Sequence, residues 1–273
     1  DSGNKDDVIN EVECLNGLAD AINVTDGAGA KSHMSALATA AILVQNGIEP
    51  ILQFTTRDRN RIAIQGDLLG GWALDIPNIL CLYGDEVKGG DQPDTKEVRD
   101  LDTIGILKTA HDIKTKKMYP SGRKINDAPE FFIGGADTPF KVNNDFNGSN
   151  LMKKIEAGVE FFQTQYAFDE NILKNYMLKL NELHITDKAY FIIGLGVIKS
   201  AKSARWMNKN LFGINIPEEI INRIEQSNDE SLEGRKICIE LVEKYKSIEG
   251  VSGIHLMGYK QEKEIASVIS HFK

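Results

Sequence analysis

Apolar runs punctuate the chain at residues 21–25, 50–55, 78–83, 130–134, 160–166, 189–196 and 251–257. Most are continuous rather than alternating with polar residues, the pattern of strands covered on both faces of a parallel sheet. Between them apolar residues recur at helical spacing, over 32–46, 59–74, 101–115, 151–157, 170–183, 201–209 and 232–248, and an amphipathic stretch at 261–272 closes the chain. Strict alternation of strand and helix requires parallel strands with right-handed crossovers, in an open doubly wound sheet or a barrel. The last strand has its own helix, whereas the chain opens on polar residues and then a helical pattern over 8–18. A helix without its strand points to a (βα)8 TIM barrel whose first strand lies upstream of residue 1. No break in composition divides residues 1–273, which read as a single α/β barrel domain.

Bulk properties narrow the class. A chain of 273 residues suits one such barrel, and 41% hydrophobic with 26% charged residues is the balance of a globular protein. A net charge of −8 argues against a nucleic-acid partner, which would need clustered Lys and Arg. Lys114, Lys116 and Lys117 read as a solvated face. No apolar run has the roughly 18–20 residues that cross a bilayer. Cys14, Cys81 and Cys238 are far apart, form no zinc-type pair and fit a reducing cytoplasm as small buried residues. Long Gly-, Pro- and Asn-rich segments follow two strands, at 84–100 and 136–150, and such loops are commonly functional or mobile. The insert 212–231 contains Pro217-Glu218-Glu219, a good helix start.

In a parallel α/β fold the chemistry gathers past the carboxyl ends of the strands. Thr25-Asp26, Thr55-Thr56, Asp85 and Asp137 stand there, Gln163-Thr164-Gln165 lies within the fifth run, and His255 within the last. Period-two alternation sends Gln163 and Gln165 to one side and Thr164 to the other. The lack of a Cys/His cluster argues against a catalytic metal, and no Gly-x-Ser-x-Gly elbow is present. Each candidate has a plainer alternative: Asp26 and Asp137 as caps, Asp85 as a turn residue, His255 as a satisfied core histidine. Gln165 is harder to set aside, because a buried amide needs partners. Gly194-Leu195-Gly196 lacks the third glycine of a dinucleotide fingerprint, with Lys199 in its place. Lys153-Lys154, read at a helix start, suit a phosphate or simply the surface.

The segment TRDRNRIAIQGDLLGGWALDIPNILCLYGD resembles the central block of the methylenetetrahydrofolate reductase family. The resemblance continues in family order through INVTDGAGAKSHMSALA, GDQPDTKEVRDLDTIGIL, FFIGGADTPF, KKIEAGVEFFQTQYAFD and GIHLM, and covers nearly the whole chain. It implies an α/β barrel that binds FAD, or FMN, and reduces 5,10-methylenetetrahydrofolate to 5-methyltetrahydrofolate by hydride transfer, in one-carbon metabolism and methionine biosynthesis. By the same resemblance Thr25, Thr55, Leu82, Tyr83, Gly84 and Asp85 match positions at the isoalloxazine and ribityl groups. Gly134, Ala136, Thr138, Asn150 and Lys154 match those around the ribityl, diphosphate and adenine groups. Asp85 matches the carboxylate near flavin and pterin, and Gln165 the amide at the pterin edge. The implied partners are the folate substrate, NADH or NADPH as donor, and either further copies in a homo-oligomer or an electron-donating protein.

Two departures stand out. The family's general acid is a glutamate on the first strand, in a Glu-x-x-Pro-Pro-like motif, and neither Glu11 nor Glu13 substitutes because both fall in the first helix. Where some relatives carry a stacking aromatic after Ser200-Ala201, this chain has Lys202, which leaves the electron donor open. A folate-binding methyl-transfer barrel, or a partner-fed reductase subunit that does not use NAD(P)H directly, is the competing expectation.

Overall fold

The apolar runs become strands within a residue or two of their expected ends, except the fourth, which starts two residues late and runs three residues further, to Asp137. A computed structural model describes residues 2–143 and 145–273, so Asn144, in the long loop 136–150, lies outside the described residues. The strands are β1 (Ile22–Val24), β2 (Pro50–Thr55), β3 (Asn78–Leu82), β4 (Phe132–Asp137), β5 (Phe161–Tyr166), β6 (Tyr190–Leu195) and β7 (Val251–Leu256). The helices are α1 (Lys5–Val12), α2 (Ala36–Gln45), α3 (Arg61–Ala73), α4 (Thr103–Lys116), α5 (Ser149–Glu156), α6 (Glu170–Glu182), α7 (Ala201–Asn210), α8 (Glu218–Glu225), α9 (Glu230–Tyr245) and α10 (Glu262–Ser270).

Two compact units divide the chain. One runs to Gly135 and takes in Lys153–Glu160; the other is Ala136–Met152 with Phe161–Lys273. In the first, β1 to β4 follow chain order, each parallel to the last, with Ile22 opposite Pro50, Ile51 opposite Asn78 and Asn78 opposite Phe132. In the second, β5, β6 and β7 do the same, with Phe161 opposite Tyr190 and Ile193 opposite Ile254. Parallel βα units in chain order are the (βα)8 barrel class, with seven of its eight strands among the described residues.

Local chemistry sets the joints. Asn60 accepts hydrogen bonds from the Ile62 and Ala63 N–H groups and so starts α3 directly behind the polar turn that ends β2. On that helix Ile64 and Leu68 are fully buried, while Trp72 packs edge-on against Phe131 at 5.5 Å. In the second unit Asp169 caps α6, and Ser200 and Ser203 form a capping box on α7. Phe162 and Phe191 stack at 5.0 Å across β5 and β6. Burying such side chains supplies the main folding drive, about 2 kcal/mol each relative to exposure.

Small differences from the sequence reading have local causes. The first helix stops at Val12 and tightens into a 3-10 turn at Glu13–Leu15, before Gly17 adopts φ +72°. Pro217 is the cap of α8 rather than its first residue. Helix α5 begins at Ser149, so Lys153 and Lys154 lie in its last turn and not at its start. There they complement the negative end of the helix. Cys81 and Cys238 are buried, and burial pushes both thiols up to about 12, whereas Cys14 is only half-buried.

Candidate functional site

In the first unit, three strand ends are joined by ions. Asp26, just past β1, is 8% exposed and turned back onto β2: its Oδ2 accepts from Thr55 N–H at 2.8 Å and from Thr55 Oγ1 at 2.9 Å. The same carboxylate takes two hydrogen bonds from Arg59, whose Nε donates to Asp67 of α3. Asp26 is therefore neither a cap nor a turn residue; it ties the β1 end to the β2 end. Thr55 is 2% exposed with its hydroxyl committed to that carboxylate.

Arg57, two residues further, is 4% exposed. Its Nε and Nη2 donate to Asp58, and its Nη1 to the carbonyl oxygens of Gly27 at 3.1 Å and Asp85 at 3.4 Å. The hydrogen bond to Asp58 holds the guanidinium pKa above its ordinary value. At the β3 end, Leu82 is half-buried and Tyr83 about half exposed. Arg99 lies 3.8 Å over the Tyr83 ring and donates to the carbonyls of Tyr83, Gly84 and Asp85. Gly84 is at φ +85°, and a Cβ there would meet Thr55 and Arg57 at 3.0–3.2 Å. The Asp85 side chain is exposed, with Oδ2 accepting from Gly29 N–H at 2.7 Å. Thr25 is exposed at the end of β1.

Two more carboxylates pin the 84–100 loop. Glu97 accepts from Arg99 and from Val87 N–H, which hold it down to about 2. Asp100 accepts from the Arg61 side chain and N–H, also to about 2.

In the second unit the end of β5 is held by a hydroxyl and backbone groups. β5 is irregular between Gln163 and Tyr166, so simple alternation does not carry across it. Thr164 Oγ1 donates to the Gln165 carbonyl and accepts from Gly194 N–H, both at 2.8 Å. The Gln165 Oε1 accepts from Tyr166 N–H at 3.0 Å, which commits the oxygen end of the amide. A Cβ on Gly194 would lie 2.4 Å from the Thr164 carbonyl, and one on Gly196 2.4 Å from that of Met257. These glycines serve close strand packing. His255 is half-buried in β7, and desolvation drives its imidazole down to about 4. Asp137 accepts from the buried Tyr176 hydroxyl at 2.8 Å, which together with burial raises that phenol's pKa.

Of the remaining candidates, Gly134 is buried in β4, and Ala136 and Thr138 are half-buried at and beyond its end. Asn150 is exposed at the start of α5, and Lys154 is half-buried. Thr25, Thr55, Leu82, Tyr83, Gly84 and Asp85 come together in the first unit; Gln165, Ala136, Thr138 and Asn150 belong to the second. Lys202 is exposed on α7, and Glu11 lies on α1 with Glu13 just after it. Sequence reasoning missed Arg57, Arg59 and Arg99, although alternating charges directly behind a buried strand are a signal that something must neutralise them there. No group of three His, Cys, Asp or Glu able to hold a metal occurs among the described residues. No described helix is long and apolar enough to cross a membrane.

Comparison with known proteins bears on the family and the fold. A probable methylenetetrahydrofolate reductase (NADPH) from Caenorhabditis elegans is 24% identical over 244 residues, 88% of this chain. The chain spans only about a third of that relative's length, 34%. A solved structure of an uncharacterized protein from Clostridium thermocellum, which binds two copies of 5-methyl-5,6,7,8-tetrahydrofolic acid, aligns with a TM-score of 0.65 at 15% identity. That alignment covers 98% of this chain and 88% of the other, and supports the fold. A family model for methylenetetrahydrofolate reductase matches residues 4–273, and on that match the chain belongs to the methylenetetrahydrofolate reductase family.

Proposed function

We propose that this chain is a flavin-dependent reductase of 5,10-methylenetetrahydrofolate, acting as one barrel domain over residues 1–273. The observation that carries the reading is the family match over residues 4–273. The structural relative's 5-methyl-5,6,7,8-tetrahydrofolic acid is the product such a reaction would form.

The residues present fit a flavin. Exposed Thr25, the half-exposed Tyr83 ring and the turn at Leu82-Tyr83-Gly84-Asp85 offer a hydroxyl, a flat apolar face and peptide groups for an isoalloxazine and its ribityl chain. By the family resemblance Gly134, Ala136, Thr138, Asn150 and Lys154 would hold the rest of FAD, Lys154 meeting the diphosphate through charge-assisted hydrogen bonds. Thr55 would act indirectly, since its hydroxyl is committed to Asp26. FMN would need fewer of these residues.

When bound, the flavin would supply hydride transfer from a reduced donor, NADH, NADPH or a partner protein, to the methylene carbon of the folate. The protein's share is charge and orientation. Asp85, with one carboxylate oxygen bonded to Gly29 N–H, presents a fixed negative charge that stabilises the cationic iminium form of the substrate. Gln165, its carbonyl oxygen occupied, donates from its NH2 group to an acceptor on the pterin edge.

The visible spectrum of the purified chain tests the reading. A flavin band, as isolated or after adding FAD or FMN, is expected, and anaerobic NADPH or NADH should bleach it. A colourless protein that takes up neither flavin would refute the proposal. Flavin that neither nucleotide bleaches would make the donor a partner protein. Cytoplasmic location and assembly into a homo-oligomer are part of the same reading, and sedimentation would measure the second.

A further inference from the structure

We propose that Arg57 is the positioning residue for Asp85; the inference rests on the role given above to the Asp85 carboxylate. The Asp85 side chain has one hydrogen-bond donor among the described residues, Gly29 N–H, at 2.7 Å. Donor and acceptor lie on different loops, after β1 and after β3, and a bond between two loops aims a side chain only if both loops are held. Arg57 holds both. Its Nη1 donates to the carbonyl of Gly27, two residues before the donor, and to the carbonyl of Asp85 itself.

Three features indicate that this is a built arrangement. Arg57 is 4% exposed, so its position is set by packing rather than solvent. Asp58 takes Nε and Nη2, neutralises the guanidinium and leaves Nη1 as the bridging donor. Gly27 is at φ +60°, and a Cβ there would lie 2.2 Å from Arg57 Nη2, so the loop is cut to admit the guanidinium. With its charge matched by Asp58, Arg57 acts on Asp85 through geometry. A lysine keeps the charge but lacks the planar fork that reaches Asp58 and two carbonyls together.

A double-mutant cycle on the full chain tests this, read by calorimetric titration with 5-methyltetrahydrofolate and by kcat and KM. Arg57→Lys is expected to weaken binding and lower kcat/KM about tenfold in the wild-type background, but less than about twofold beside Asp85→Asn, because coupled residues are not additive. Its effect on unfolding should be the same in both backgrounds, which separates positioning from loss of fold. Gly27→Ala, which displaces the guanidinium without removing it, should show the same coupling if Arg57→Lys folds poorly. Equal losses in both backgrounds, or none in either, would overturn the role of Arg57 while leaving that of Asp85 intact. Wild-type binding and turnover in Asp85→Asn alone would overturn the reading of Asp85, and this inference with it.

Discussion

The ends of β1–β3 and the end of β5 are held in place by different physics. In the first, ions tie the strand ends and loops together: Asp26 with Arg59 across β1 and β2, Arg57 across the loops after β1 and β3 with Asp58 matching its charge, and Arg99 at the β3 end with Glu97 matching its own. In the second, Gln165 is aimed by a hydroxyl, two backbone N–H groups and an irregular strand packed against glycines. Charge reaches several ångströms and can gather three loops, but salt and protons weaken it. A hydroxyl wedged into the backbone acts only on its neighbours and is indifferent to salt.

The largest test of that contrast is Asp26→Ala. It strands the part-buried Arg59 and the Thr55 N–H and hydroxyl together, and should cost about 3 kcal/mol or more in urea unfolding of the whole chain. A loss below about 1 kcal/mol would mean the ions ornament the first region rather than hold it. Thr164→Val comes next, at about 2 kcal/mol, because Gly194 N–H loses its acceptor in a buried place. That loss should be the same at low and high salt; strong salt dependence would erase the distinction between the regions.

Acid should act on the second region first. His255 is held down to about 4 from an ordinary 6.5, so the unfolded chain takes up the proton before the folded one does. Its contribution is complete above pH 6.5 and is lost as pH falls toward 4. Glu97 and Asp100, held at about 2 from ordinary values of 4.5 and 3.8, contribute fully above that range and lose it only as pH falls toward 2. Hydrogen exchange against pH should show the β7 peptide loosening at milder acid than the 84–100 loop, and His255→Asn should remove the earlier slope. The smallest effect is salt itself: 1 M NaCl, where the screening length is about 3 Å, should raise exchange in the 84–100 loop a few-fold and leave residues 163–167 unchanged.

How much of this was legible in the chain follows from the same contrast. Buried parallel strands leave continuous apolar runs, so β2, β3 and β5 to β7 are readable within a residue or two, and Asn60 marks the start of α3. The place of Asp85 at a strand end was readable for the same reason. Its support was not: Arg57 and Asp85 are 28 residues apart, and only the pairing of β2 with β3 brings them together. The irregularity in β5 was hidden too, since it depends on Thr164 meeting Gly194 across thirty residues, and the period-two reading of Gln163 and Gln165 passed over it. Lys153 and Lys154 were misplaced because Asn147-Gly148 starts α5 early: Gly148 turns at φ +68°, and Asn147 accepts from Ser149 N–H.

The space beside Gly27 reaches into the history of the protein. Since a Cβ there would fall 2.2 Å from Arg57 Nη2, the two positions form one unit of inheritance. Across related chains, a side chain at position 27 should accompany loss of the arginine at 57, and a substitution at either alone should survive only where the loop after β1 has changed length. An alignment deep enough to measure covariation would find these two columns moving together.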